Sequence, residues 1–162
     1  MLTLSLLAVT NQNRKEKYTM SDIKIVFWSG TGNTQAMAEA VANGVKAAGQ
    51  TPNMLQFSDI TADALAADDR FALGCPAMGA EQLEEGEVEP FFTELEGKLG
   101  GKKVALFGSY GWGSGEWMDS WVNRVTSAGA TVVTGAGVMA NNAPDDAAIS
   151  ECEELGRSLV NA

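Results

Sequence analysis

The sequence predicts one α/β domain, a doubly wound three-layer sandwich in which helices cover both faces of a five-stranded parallel sheet. Short apolar runs alternate with helical patterns along the chain, which is typical of parallel sheets. No repeat, low-complexity tract or linker divides the 162 residues, a length that suits a single core. Because crossovers between parallel strands are right-handed, the connecting helices are expected on both faces.

The predicted elements follow one another in βα order. The strands are the apolar runs 23–28, 53–57, 71–74, 103–108 and 131–134. The helices are expected at 34–48, 89–99, 116–128 and 145–160, with a shorter turn over 61–67. In the first helix Met37, Val41 and Val45 share one face, and Gly49 follows as a helix terminator.

Two further helices carry stripes that indicate core positions. Trp117 and Trp121 stand four residues apart, which is the spacing of a packed helix face, so both are interpreted as structural. The expected inner stripe of the last helix is Ile149, Cys152, Gly156, Leu159 and Val160. Cys152 is therefore interpreted as core packing, whereas Cys75, at a strand end, is left open between core packing and a reactive role.

Composition excludes several classes of function. The formal net charge of −10 repels a phosphodiester backbone and an anionic membrane surface, so neither nucleic acid nor a membrane is an expected partner. The chain has no histidine, and its two cysteines form no CxxC pair. Zinc, iron–sulfur and ordinary hydrolase sites are therefore not expected. A redox group, if there is one, is expected to be organic and bound from outside.

The loop after the first strand has the composition of a phosphate site. Residues 29–34 read Ser-Gly-Thr-Gly-Asn-Thr and lead directly into a helix, so backbone N–H groups and hydroxyls face the positive end of that helix. The loop has no Lys or Arg, unlike the P-loop of a nucleoside triphosphatase, which favours a single terminal phosphate without magnesium. A plain strand-to-helix turn could have the same composition, so the neighbouring loops decide.

Two later loops supply groups suited to a flat ligand. Trp112 stands among four glycines in residues 108–115, where the backbone can approach a ligand closely. The alternative is a ring that caps the core. Met78 lies between Pro76 and Gly79, which favours an irregular loop over a helical or core methionine. Because such loops converge beyond the carboxyl ends of the strands, Met78 and Trp112 are expected to cover one ligand together.

Three ordered motifs carry a resemblance to a known family. They read Trp-Ser-Gly-Thr-Gly-Asn-Thr at 28–34, Gly-Cys-Pro-Ala-Met-Gly at 74–79 and Phe-Gly-Ser-Tyr-Gly-Trp-Gly-Ser-Gly-Glu-Trp-Met at 107–118. In these motifs the chain resembles the short-chain flavodoxins of strict anaerobes. The resemblance covers residues 21–162. Residues 1–20 are expected to be a poorly ordered extension, with Met20 as the natural start.

The resemblance implies a flavodoxin-like fold with strand order 2-1-3-4-5 and a non-covalently bound FMN. The implied FMN-binding residues are Ser29, Gly30, Thr31, Gly32, Asn33, Thr34, Ala77, Met78, Gly79, Ala80, Glu81, Ser109, Tyr110, Gly111, Trp112, Gly113 and Asn141. Residues 29–34, with Ser109, would bind the phosphate. Met78 and Trp112 would enclose the flavin ring, and Glu81 would meet its pyrimidine edge. Asn142 is an alternative to Asn141, and no catalytic or metal-ligating residue is implied.

The resemblance also implies how the redox chemistry is tuned. The Gly79-Ala80 peptide would turn over so that the glycine carbonyl accepts a hydrogen bond from the reduced flavin. Relatives often carry a polar or acidic residue where this chain has Ala80, so that bonding is expected to be weaker here. Seven carboxylates should hinder the second reduction: Glu81, Glu84, Glu85, Glu87, Glu89, Glu94 and Glu96. About half of this run is interpreted as a solvated helix face and the rest as partner docking.

The implied function is that of a monomeric, cytoplasmic, low-potential one-electron carrier rather than an enzyme. Its partners would be oxidoreductases with basic docking faces that otherwise use ferredoxin. The alternative is an FMN-dependent enzyme like the NAD(P)H:quinone reductases, which need open space beside the flavin. A receiver-type signalling domain would need an acidic pocket after the first strand, where this chain has Ser-Gly-Thr-Gly-Asn-Thr.

Overall fold

The computed structural model describes residues 22–162, so the expected extension at 1–20 lies outside the described residues. The strands are β1 (Asp22–Phe27), β2 (Thr51–Gln56), β3 (Arg70–Gly74), β4 (Lys103–Tyr110), β5 (Thr131–Val132) and β6 (Val138–Asn141). The helices are α1 (Asn33–Ala47), the single turn α2 (Ala62–Leu65), α3 (Val88–Glu96), α4 (Glu116–Ser127) and α5 (Asp146–Asn161). Among these residues, no helix is long and apolar enough to cross a membrane.

The strands form one parallel sheet in the order β2-β1-β3-β4-β5, and β6 also pairs with β4. This confirms the expected order 2-1-3-4-5. The three central strands are in register near this end, because Phe27 pairs with Gly74 and Gly74 pairs with Phe107, and β4 continues to Tyr110. The loops that follow β1, β3 and β4 therefore leave the sheet at the same edge, which we call the carboxyl edge.

The fifth strand differs from its prediction over 131–134. β5 ends at Val132, and a turn at Val133–Gly135 carries the chain away from the sheet before β6 resumes the pairing with β4. Thr134 and Gly135 have φ of 67° and 84° in this turn. A β-branched residue rarely adopts positive φ, so Thr134 was assigned to the strand, and neither the interruption nor β6 was predicted.

Two apolar layers cover the two faces of the sheet. One lies beneath α3 and α4 and includes Trp117 and Trp121, which are buried as predicted. The other lies beneath α1 and α5. On α5 the buried residues are Ala148, Cys152, Leu155, Gly156 and Leu159. Cys152, Gly156 and Leu159 of the predicted stripe are among them, and its other two members, Ile149 and Val160, are partly buried and pack against the margin of this layer.

The close approach of α1 and α5 depends on one glycine from each helix. A Cβ built on Gly44 of α1 would overlap the backbone carbonyl of Glu153, and a Cβ on Gly156 of α5 would overlap that of Val41. The two helix backbones are therefore in direct contact, and only hydrogen atoms fit between them at these positions.

An arginine joins the helices on the opposite face. The Arg124 guanidinium on α4 donates to the carboxylates of Glu89 and Glu96 on α3 at 2.8–3.0 Å, and it lies 4.8 Å from the centre of the Phe92 ring. These hydrogen bonds lower the pKa of Glu89 and raise the pKa of Arg124. Two residues of the acidic run thus serve helix packing.

Both cysteines are buried in the core. Burial raises the pKa of Cys75 to about 12 and that of Cys152 to about 12, so both thiols stay protonated near neutral pH. The interpretation of Cys152 as core packing is confirmed. Cys75, for which the sequence allows either core packing or a reactive role, is also fully buried. Its sulfur accepts a hydrogen bond from the Glu84 N–H.

The glycine contact between α1 and α5 can be tested by substitution. Gly44→Ala and Gly156→Ala should each lower the free energy of unfolding by about 3 kcal/mol, because an added methyl group must push two backbones apart. The measurement is urea denaturation of each variant under identical conditions. Gly97→Ala is the matched control, since its Cβ would meet no atom within 4 Å. Equal stability of Gly156→Ala and Gly97→Ala would contradict the close contact.

Candidate functional site at the carboxyl edge

The loops that follow the central strands are tied to one another by backbone hydrogen bonds. The Trp28 N–H donates to the Gly74 carbonyl at 3.0 Å, and the Cys75 N–H donates to the Phe107 carbonyl at 3.1 Å. The Ala77 N–H continues the series onto the Ser109 carbonyl at 2.9 Å. The three sequence motifs, which lie far apart in the chain, are therefore neighbours.

The first loop, residues 29–34, ends in the first turn of α1. Gly32 adopts a left-handed φ of 97°, and the Ser29 hydroxyl accepts from the N–H groups of Gly32 and Gln35 at 3.1 and 3.2 Å. The N–H groups of Asn33 and Thr34 lie in the first turn, where no intrahelical acceptor exists. A hydroxyl and free N–H groups thus converge at the positive end of a helix, as in anion sites.

A pair of buried hydroxyls joins the first loop to the end of β4. Thr34 Oγ1 lies 3.0 Å from Ser109 Oγ, and the two residues are only 1% and 5% exposed. The family resemblance implied that Ser109 lies near the first loop, and in the structure Ser109 contacts Thr34 of that loop. The Thr34 hydroxyl lies against Ser109, whereas Ser29 is half-buried and Thr31 is exposed.

The Met78 loop, residues 75–82, closes in a tight hairpin. Met78 and Gln82 exchange two backbone hydrogen bonds of 2.8 Å each. Gly79 and Glu81 both have positive φ, 53° and 55°, a conformation that glycine adopts easily and glutamate rarely. Met78 is 38% exposed in this hairpin, so the expected irregular loop, rather than a helical or core position, is confirmed.

The Trp112 loop, residues 110–115, presents its aromatic ring outside the core. Trp112 is 69% exposed, whereas Tyr110 packs on Trp117 with ring centres 5.7 Å apart. The Trp117 indole N–H donates to the Cys75 carbonyl at 3.0 Å, which fixes the start of α4 beneath the Met78 loop. The idea that Trp112 caps the core is wrong, because a cap would be buried.

The end of β6 completes the carboxyl edge. The Asn142 N–H donates to the Tyr110 carbonyl at 2.7 Å, and the Asn141 side-chain amide donates to the same carbonyl at 3.4 Å. Both asparagines are exposed beside the Trp112 loop. The choice of Asn141 over Asn142 stays a prediction.

Most carboxylates of the acidic run have partners within the protein. Glu84 accepts from the N–H groups of Gly86, Glu87 and Val88 at the start of α3, and these bonds lower its pKa against the opposing effect of burial. Glu87 accepts from the Trp28 indole at 3.2 Å. Glu85 and Glu94 are exposed and form none of the hydrogen bonds or ion pairs found among residues 22–162. The run is therefore less a solvated face than the sequence indicated.

The residues at this edge fit FMN. The exposed large apolar side chains of the described residues are Met78, Trp112 and Met139, and all three belong to segments at the carboxyl edge. Exposed apolar groups beside an anion site of N–H and hydroxyl donors match a ligand that is planar at one end and phosphorylated at the other. Sequence reasoning missed Met139, because its strand β6 was not predicted.

Comparison with known proteins gives the same result. The family model described as Flavodoxin matches residues 25–156. The flavodoxin of Megasphaera elsdenii is 54% identical over 140 residues, 86% of this chain and 99% of that protein. The flavodoxin of Clostridium beijerinckii is 48% identical over 139 residues, with the same coverage of 86% and 99%.

Solved structures agree in fold as well as sequence. The solution structure of two-electron reduced Megasphaera elsdenii flavodoxin superposes with a TM-score of 0.79 at 54% identity, covering 86% of this chain and 99% of that one. A flavodoxin from the domain Archaea superposes with a TM-score of 0.77 at 30% identity, covering 86% and 96%. The chain therefore belongs to the flavodoxin family of FMN-containing electron carriers.

Proposed function

We propose that this flavodoxin is a low-potential one-electron carrier that shuttles electrons between redox enzymes in place of ferredoxin. The observation that carries the proposal is the exposure of Met78 and Trp112, 38% and 69%, on two loops beside the anion site of α1. FMN supplies the redox chemistry when bound, because its ring takes up and releases electrons singly. The protein binds the ring, sets its electrostatic surroundings and presents it to partners.

The first loop binds the phosphate through neutral donors. Its hydroxyls and N–H groups come from Ser29, Gly30, Thr31, Gly32, Asn33 and Thr34, and Ser109 supports them through the Thr34 hydroxyl. No cationic side chain stands in residues 29–34, so the helix dipole and N–H groups offset the phosphate charge. This arrangement selects a single phosphate group over a magnesium-bound triphosphate.

The Met78 and Trp112 loops bind the ring. Met78 and Trp112 bury its apolar faces and exclude water, and the backbones of Ala77, Gly79, Ala80, Tyr110, Gly111 and Gly113, with Asn141, approach its edges. Gly79, which has a positive φ, lacks a side chain that would restrict its backbone, and its carbonyl would be the acceptor for a hydrogen bond from the flavin after the Gly79-Ala80 peptide turns over.

The acidic character of the chain lowers the affinity for a second electron. The net charge of −10 and the carboxylates of Glu81, Glu84 and Glu87 around the site disfavour added negative charge. The same field speeds the encounter with basic surfaces on partner enzymes.

A stepwise reduction tests the one-electron function. The FMN-loaded protein is titrated with dithionite under nitrogen while its visible spectrum is followed. A long-wavelength band should rise as the first electron is added for each flavin and fall as the second is added. A direct change from yellow to colourless, together with turnover of NAD(P)H and a quinone, would contradict the proposal and favour a quinone reductase.

The role of Trp112 can be measured as an affinity. Trp112→Ala should raise the dissociation constant for FMN about tenfold to a hundredfold, as expected for about 1–3 kcal/mol of lost stacking. Trp112→Phe keeps an aromatic ring and should retain most of the affinity. If the alanine and phenylalanine variants both bind FMN as tightly as the unmodified protein, Trp112 is not a ring-covering residue.

Ionic strength should control electron transfer to a partner. The second-order rate of transfer to a ferredoxin-dependent oxidoreductase with a basic docking face should fall steeply between about 0.01 and 0.5 M salt, because screening shortens the reach of the acidic field. The measurement is stopped-flow oxidation of the reduced protein. A rate independent of salt would argue against electrostatic docking while leaving FMN binding intact.

A further inference from the structure

Glu81 makes a contact that its position in the sequence does not indicate. Its carboxylate reaches out of the Met78 loop and accepts from three successive N–H groups at the start of α4, those of Ser114, Gly115 and Glu116, at 3.4, 3.1 and 3.1 Å. The partners lie 33 to 35 residues further along the chain. The contact therefore bridges the Met78 loop and the Trp112 loop.

The start of α4 lacks a cap of its own. Gly115, the residue before the helix, provides no side chain for capping, and the first N–H groups of a helix have no intrahelical acceptor. A negatively charged acceptor placed there meets both the unpaired donors and the helix dipole. Glu81 thus acts as a cap supplied by a distant loop.

The backbones of the Met78 loop and the Trp112 loop adopt conformations that accommodate the Glu81 carboxylate. Gly113 and Gly115 have φ of 91° and 93°, and a Cβ on Gly113 would lie 2.6 Å from the Glu81 carboxyl carbon. Glu81 itself adopts a φ of 55°, which is unfavourable for a side chain of its type. The contact therefore requires a strained backbone at Glu81 in the Met78 loop. It also requires glycine at position 113 in the Trp112 loop.

We propose that Glu81 is a positioning residue that joins the Met78 loop to the Trp112 loop and so sets the gap between Met78 and Trp112. This inference rests on the proposed function, in which those two side chains cover the flavin ring. Because every bond in the contact is made by protein atoms, the spacing is established before FMN arrives, and less ordering remains to be done on binding. This role is separate from any contact between Glu81 and the ring.

The test compares Glu81→Gln with Glu85→Gln in the full chain, with FMN bound and after its removal. Both variants lose one charge, but Glu85 forms none of the hydrogen bonds found among residues 22–162. In Glu81→Gln the amides of Ser114, Gly115 and Glu116 should exchange with solvent about tenfold faster, with amides of β4 as the folding reference. The dissociation constant for FMN should rise about tenfold and the visible band of bound FMN should change shape.

Two further variants separate positioning from a direct contact. Glu81→Asp keeps the carboxylate and should recover part of the amide protection and of the affinity. Gly113→Ala should raise the exchange of the same amides, and its effect should not add to that of Glu81→Gln, because both act on one contact. Weaker FMN binding in Glu81→Gln with amide exchange equal to that of Glu85→Gln would overturn the proposal. Failure of the unmodified protein to bind FMN would instead overturn the proposed function.

Discussion

The register of β1, β3 and β4 at the carboxyl edge is the constraint on which the rest of the site depends. Phe27, Gly74 and Phe107 lie side by side across the sheet. β1 and β3 end at this level and β4 continues to Tyr110, so three loops leave the sheet at the same edge. Glycine is required at two of these points: a Cβ on Gly74 would overlap the Phe107 ring, and one on Gly108 would overlap the Cys75 carbonyl. The central strands can therefore approach closely where the loops leave them, and segments distant in sequence form one surface.

Periodicity and loop composition were enough to predict the parallel sheet, the main helices and the loops of the candidate site, whereas the strand order came from the family resemblance. The features predicted in this way depend on local sequence, because a stripe of apolar residues predicts a packed face, and a glycine between a strand and a helix predicts a turn, in most folds. The interruption after Val132 and the strand β6 could not be predicted, since Thr134 is a residue that usually avoids the conformation it adopts. Ala148 and Leu155 of α5 were not in the predicted stripe, although both are buried.

The acidic run shows why a cluster of like charges in a sequence is hard to interpret. Glu81 and Glu84 cap helices, Glu87 bonds to Trp28, and Glu89 and Glu96 hold Arg124. These partners are brought close by the fold. Composition alone therefore could not show which carboxylates of the run are paired and that Glu85 and Glu94 are not among them. Much of the negative charge near the site is therefore built into the packing of α3 and α4.

The interruption between β5 and β6 has a consequence for the surface of the sheet. A long, regular edge strand offers unpaired backbone groups to which another chain can add a strand. Here one edge consists of segments of only two and four residues separated by a turn. The other edge, β2, carries Pro52, which has no N–H to donate. Both margins of the sheet are thus poor templates for intermolecular pairing, which protects the protein from aggregation through its edges.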